Sequence, residues 1–276
     1  MEKLIVLGTG NAMVTKCYNT CFALALQEEN ILVDAGGGNG ILVQLEKADV
    51  PMQSIHHLIV THEHCDHLLG VLWVLRKAGT LMLQGKYEGE LHLWAHAALL
   101  QSIQAMAGMC LQKKFTNLFG SRFILHTVQD GTQGVLAGVL FTFFDIHSTK
   151  ATQYGFTAQL PSGQKLTFLG DEPYNPLCEA YVRASSWLLC EAFCLYEQRE
   201  RFKPYEKHHS TVKEACELAR QMQIPHLVLW HTEDKNYAQR KALYTAEGEQ
   251  YYNGHLYVPY DLETIGLQQS HFSSRQ

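Results

Sequence analysis

Thr61-His62-Glu63-His64-Cys65-Asp66-His67 sets four metal-ligand side chains within six positions, in the order H-x-H-x-D-H. Imidazole and carboxylate together suit zinc and related divalent ions. The preceding run, His57-Leu58-Ile59-Val60, is apolar and β-branched and reads as a buried strand. A chain that stays extended just past it projects His62, His64 and Asp66 to one side. His67 then turns to the other side as Leu68-Leu69-Gly70-Val71-Leu72-Trp73-Val74-Leu75 opens an apolar helix. One loop thus offers two histidines to one metal and an aspartate–histidine pair to a second. A loop rich in histidine by chance needs neither these ligand types nor this spacing behind a strand.

The surrounding chain has 276 residues, 46% of them hydrophobic and 18% charged, which excludes a disordered chain. A net charge of -5 lacks the basic excess of a dedicated nucleic-acid binder. Met1-Glu2-Lys3-Leu4-Ile5-Val6-Leu7 enters a strand directly, without the pattern of a secretory leader, and no apolar run is long enough for a membrane span. A cytoplasmic protein without membrane contact is expected. The eight cysteines form no C-x-x-C pair and read as reduced core residues. Cys65 is expected to pack beneath the metals.

Outward from the motif, strands are expected at 3–7, 21–26, 30–33, 91–94, 123–128, 139–144, 155–160, 165–169, 187–193, 227–230 and 256–258. Helices are expected at 41–48, 97–111, 175–185, 212–223 and 236–248, with Met106 and Met109 filling the core. Thr211 and Glu214 fit a capping box. Asp34 reads either as the partner that orients a ligating histidine or as a turn residue. His147, Asp171 and His231 each follow an apolar β-rich run, and strand ends are where side chains converge in layered α/β folds. Joined to the loop, they complete a two-metal site. His62, His64 and His147 hold one ion, Asp66, His67 and His231 the other, and Asp171 bridges.

This set resembles the metallo-β-lactamase superfamily, through Gly8-Thr9-Gly10, Asp34-Ala35-Gly36, the H-x-H-x-D-H loop, His147, Asp171 and His231. Within it the chain is most similar to ribonuclease Z and its phosphodiesterase relatives. That likeness rests on His147-Ser148, Glu191-Ala192-Phe193, and His209-Ser210-Thr211 ahead of a helix carrying Ala215 and Ala219. The resemblance implies an αβ/βα sandwich of two mixed β-sheets flanked by helices, with residues 1–276 as one domain. It implies two divalent cations, zinc first and manganese or iron as alternatives, and a homodimer. It also implies that Glu191 and His209 help protonate the leaving oxygen, His208 being the alternative. A carboxylate beside an imidazole is expected to raise its pKa. The family's tRNA-binding arm, inserted between the positions of His147 and Asp171, is here only a short hairpin. The family's Ser-x-Arg-Tyr after the last ligand is replaced by Thr232-Glu233-Asp234-Lys235-Asn236.

The expected chemistry is hydrolysis by a metal-bridging hydroxide, with Asp66 also holding the nucleophile. The substrate is expected to be a phosphodiester, either an RNA 3′ end or a small cyclic or nucleotide diester. The same metals could instead serve a carboxylic ester, lactone or thioester, and a non-enzymatic binding module is the third reading.

Overall fold

The computed structural model describes residues 2–268. The first half of the chain builds β1 (Lys3–Gly8), β2 (Cys21–Leu26), β3 (Glu29–Val33), β4 (Ile55–Ile59), β5 (Leu91–Ala95) and β6 (Phe123–Thr127). The second half builds β7 (Gln133–Leu136), β8 (Val139–Asp145), β9 (Tyr154–Gln159), β10 (Lys165–Phe168), β11 (Trp187–Glu191), β12 (His226–Trp230) and β13 (His255–Tyr257). A last strand, β14 (Thr264–Gly266), returns to the first sheet, which is ordered β14-β1-β2-β3-β4-β5-β6; the second is ordered β13-β12-β11-β10-β9-β8-β7. Each sheet is antiparallel over one half and parallel over the other, changing at β3/β4 in the first and at β10/β11 in the second. Such a change of direction opens a crevice at the carboxyl ends of the parallel strands.

Alternation along the strands divides the apolar side chains between three layers. Leu4, Val6, Phe22, Phe156, Phe168 and Trp230 meet between the sheets, where Phe22 stacks on Trp230 with ring centroids 4.7 Å apart. The other face of the first sheet packs on α1 (Gly40–Lys47), α2 (Cys65–Leu83) and α3 (Ala97–Cys110). The other face of the second sheet packs on the helix Val212–Gln221 and its neighbours. That helix starts at the expected Thr211–Glu214 capping box. No helix of the described residues is long and apolar enough to cross a membrane.

The differences from expectation are local. α2 begins at Cys65, so Asp66 and His67 lie in its first turn and not on an extended strand. Met109 is 77% exposed, while Met106 does pack against the core. Only short turns, Pro176–Cys178 and Glu179–Val182, form where a helix over 175–185 is expected. β7 and β14 have too little apolar alternation to be read locally, and they exist because neighbouring edges accept them.

Candidate metal centre

A carboxylate organises the motif loop from behind. Asp34, 1% exposed, accepts hydrogen bonds from the Thr61 backbone N–H at 2.8 Å and from the Thr61 hydroxyl at 2.8 Å. Its Oδ2 also lies 2.7 Å from His67 Nδ1, so that ring donates its Nδ1–H and turns Nε2 forward. Thr61 has one hydroxyl proton and gives it to Asp34. His62 Nδ1 lies 2.9 Å from the same oxygen and 3.1 Å from the Gln153 side-chain nitrogen, which turns its Nε2 forward. His231 Nδ1 is held likewise, 3.2 Å from the Thr20 hydroxyl. The turn that carries Asp34 reaches α2 because Gly70 has no side chain: a Cβ there would lie 1.8 Å from the Ala35 carbonyl oxygen. Asp34, His147 and His231 all adopt left-handed backbone at strand ends, at φ 54°, 57° and 55°. Asp and His tolerate this region better than β-branched residues do.

The forward atoms converge. His62, His67 and Asp171 form one buried group of potential ligand atoms, and Asp66, His67 and His231 form another. Asp171 Oδ2 lies 3.6, 3.5 and 3.4 Å from the Nε2 atoms of His62, His67 and His231, and Asp66 Oδ2 lies 3.4 Å from His67 Nε2. These separations are long for hydrogen bonds. They match the edge of a tetrahedron of ligands about 2.1 Å from zinc, which is about 3.4 Å. His67 Nε2 is buried without any hydrogen-bond partner, as expected of an atom shaped to bind a cation. Burial keeps His62 and His231 neutral, with pKa values below the ordinary range. Burial opposes charge on His67 too, but Asp34, Asp171 and Asp66 outweigh it and hold that ring well above the ordinary range, with a proton where a metal would sit. Asp66 and Asp171 stay ionised despite burial, because the surrounding imidazoles depress both. The donor set fits a divalent cation.

Six of the seven expected ligands meet here. His64 joins through its Nδ1, 2.9 Å from His62 Nε2. His147 does not: its side chain is 39% exposed, its Nδ1 lies 4.0 Å from Asp145, and its left-handed backbone aims it into a neighbouring hollow with Glu172, Tyr174 and His208. Cys65 is exposed on the cavity wall and not packed beneath the site.

Glu191 and His209 do meet. Glu191, 0% exposed, ends β11 and accepts the Ser210 N–H at 2.5 Å, with its other oxygen 3.7 Å from His209 Nδ1. His209 Nδ1 lies 3.0 Å from the Asp171 carbonyl, to which it donates, leaving Nε2 as the free ring nitrogen. His209 also stacks on Phe193 at 5.0 Å. The electrostatics reverse the expectation. Burial, reinforced by His231 and Lys150, pushes His209 down to about 3, and burial holds the Glu191 carboxyl well above its usual range. His208 faces Thr149 instead, 2.8 Å from its hydroxyl.

A cavity of about 530 Å³ opens over Asp66, Asp171, His209 and His231. Phe193 and Phe202 form its aromatic side, Lys150, Lys207 and Lys235 its cations, and Glu233 and Asp234 its acids. Of these wall residues, the sequence singled out Phe193 only within Glu191-Ala192-Phe193, and Glu233, Asp234 and Lys235 only within Thr232–Asn236. Thr61, Lys150 and Glu172 carried no signal beyond their nearness to ligand positions, and Thr20 meets His231 only through the fold.

Residues 2–250 match the profile of the family described as anti-Pycsar protein Apyc1. The chain is 21% identical to the ribonuclease Z of Bacteroides thetaiotaomicron over 279 aligned positions, covering 84% of this chain and 86% of that one. It is 24% identical to the cGMP-dependent 3′,5′-cGMP phosphodiesterase A of Dictyostelium discoideum, over 63% of this chain and 18% of that longer protein. The solved metallo-β-lactamase fold protein YhfI of Bacillus subtilis superposes with a TM-score of 0.78 at 16% identity, covering 96% of this chain and 98% of its own. The fold is therefore the metallo-β-lactamase αβ/βα sandwich. With the buried His/Asp groups, these relatives make the protein a metal-dependent hydrolase, and the family match places it: this chain belongs to the Apyc1 family.

Proposed function

We propose that the protein is a dinuclear metal phosphodiesterase that cleaves small cyclic or nucleotide diesters. The observation that carries this reading is the cavity. About 530 Å³ suits one nucleotide, and its wall combines metal-ligand carboxylates, lysines and two phenylalanine rings. Lysines suit a phosphate, and aromatic faces suit a nucleobase. The stretch between His147 and Asp171 holds only the β9–β10 hairpin, so no extended arm supports a folded RNA. Zinc is the expected ion.

In this reading His62, His64 and Asp171 hold one ion, and Asp66, His67, His231 and Asp171 the other. His147, which stands outside this set, would be the remaining ligand of the first. Bound divalent cations supply a water nucleophile at neutral pH and offset charge on the phosphoryl oxygens. The protein groups do the rest. Asp34 and Thr20 hold the Nδ1 atoms of His67 and His231, and Thr61 and Gln153 hold that of His62. Asp66 accepts a hydrogen bond from the attacking water. His209 holds Nδ1–H against the Asp171 carbonyl, and its Nε2 takes up a proton once an anionic diester offsets the cost of burying that charge. It then passes that proton to the leaving oxygen, with Glu191 behind the ring steadying the imidazolium.

The test is a substrate panel on zinc- and manganese-loaded protein: 3′,5′- and 2′,3′-cyclic nucleotides, bis-p-nitrophenyl phosphate, a lactone, a thioester and a precursor tRNA. The expected result is turnover of the diesters ahead of the acyl compounds and of the tRNA. Faster turnover of the lactone or thioester would replace this reading with acyl hydrolysis.

A further inference from the structure

Lys150 is built into the cavity differently from its two lysine neighbours. Lys235 is 60% exposed and lies 3.4 Å from Asp234, and Lys207 rests over the Phe193 ring at 4.9 Å. The Lys150 side chain is 24% exposed, and its ammonium donates to the Lys207 carbonyl at 3.0 Å. It stands 3.6 Å from Glu172, whose side chain is 8% exposed. Glu172 directly follows Asp171 in the chain. Its Oε1 accepts the Ser148 hydroxyl at 2.7 Å and its Oε2 accepts the Thr149 N–H at 3.4 Å. The Ser148 oxygen in turn receives the Lys150 N–H at 3.2 Å. The loop that carries Lys150 is therefore pinned to the strand end that carries Asp171. An ammonium has three donors. One is used by the Lys207 carbonyl, and Glu172 lies beyond hydrogen-bond distance, so two remain for a ligand in the cavity that Lys150 lines beside Asp171 and His209.

We propose that Lys150 binds a non-bridging oxygen of the scissile phosphodiester, and that Glu172 is the positioning residue that aims it. The inference rests on the phosphodiester reading and adds to it a residue that takes no part in holding metal. A carboxylic ester carries no anionic oxygen in its ground state, so the same side chain should matter less to it.

The experiment uses the zinc-loaded full chain and compares wild type with Lys150→Met, Lys150→Arg and Glu172→Gln. Inorganic phosphate binding is read by calorimetry, and hydrolysis is read on bis-p-nitrophenyl phosphate and on p-nitrophenyl acetate, with metal content as control. Hydrogen bonds between charged groups predict that Lys150→Met weakens phosphate binding and lowers kcat/KM on the diester by about 10- to 100-fold. Lys150→Arg should recover most of the loss, and Glu172→Gln should show a smaller loss in the same direction. Metal content should stay as in wild type, and acetate hydrolysis should fall much less than diester hydrolysis. Phosphate affinity unchanged in Lys150→Met, no phosphate binding by wild type, or equal losses on the diester and the acetate would each overturn the assignment. Failure of the phosphodiester reading itself would look different: wild type would cleave the acetate and leave the diester intact, and the phosphate titration would still decide whether Lys150 binds the anion.

Discussion

Asp34→Asn is the substitution whose effect can be worked out most fully. The Asp34 carboxylate receives three donors: the Thr61 N–H, the Thr61 hydroxyl and His67 Nδ1–H, at 2.8, 2.8 and 2.7 Å. An amide of the same shape offers one accepting oxygen, and its NH₂ must face at least one of these donors. The left-handed backbone at φ 54° suits asparagine, so strain adds little. The His67 ring then loses the charge that fixes its tautomer, and through the Thr61 hydroxyl the His62 ring is loosened as well. Losing a charged hydrogen-bond partner costs about 1.5–3 kcal/mol, and loss of a carboxylate behind a ligating histidine typically costs about 10- to 100-fold in metal affinity. Zinc affinity should fall by that factor, most at the ion held by Asp66, His67 and His231. Competition with a chromophoric chelator measures it, and thermal unfolding of the metal-free protein checks that the variant folds. Affinity within about twofold of wild type in a folded variant would show that Asp34 is only a turn residue.

His209→Ala should keep its metal and lower kcat by about 10²- to 10⁴-fold on diesters with poor leaving groups, and much less on p-nitrophenyl diesters; equal losses on both would mark a binding role. His147→Ala should drop the zinc content of the saturated protein toward one ion per chain, and full occupancy would mean that the outward placement of His147 is its working one. Away from the site, burial holds His57 at a pKa of about 4, with His92 and His126 adding to the effect. The unfolded chain therefore binds a proton there that the native chain refuses, so stability should be fully present above about pH 6.5 and decline toward pH 4. Urea unfolding of the metal-free protein at pH 7 and pH 5 reads this, and His57→Gln should flatten the difference.

How far the sequence could be read follows from how local each cause is. The H-x-H-x-D-H spacing, the Asp171 and His231 strand ends and the Thr211–Glu214 box are determined within a few residues; the fold brings the first two sets of side chains together and starts a helix at the third. The early start of α2 was hidden because apolar periodicity begins only at Leu68, although the first turn already holds Asp66 and His67. The side chain of His147 depends on a left-handed backbone angle that no pattern announces. Burial opposes charge on Glu191 and on His209 alike, whereas adjacency alone argues for an ion pair. Lys150 and Glu172 become a pair only through the turn that folds Ser148 onto Glu172.

The central claim is that two divalent ions, shared across Asp171, carry the hydrolysis. Titrating metal-free protein with zinc while following both bound metal and diester turnover tests it most directly. The account predicts saturation at two ions per chain, with activity appearing mainly as the second ion binds, and loss of both ions in Asp171→Ala. Saturation at one ion, or full activity with one bound, would contradict it.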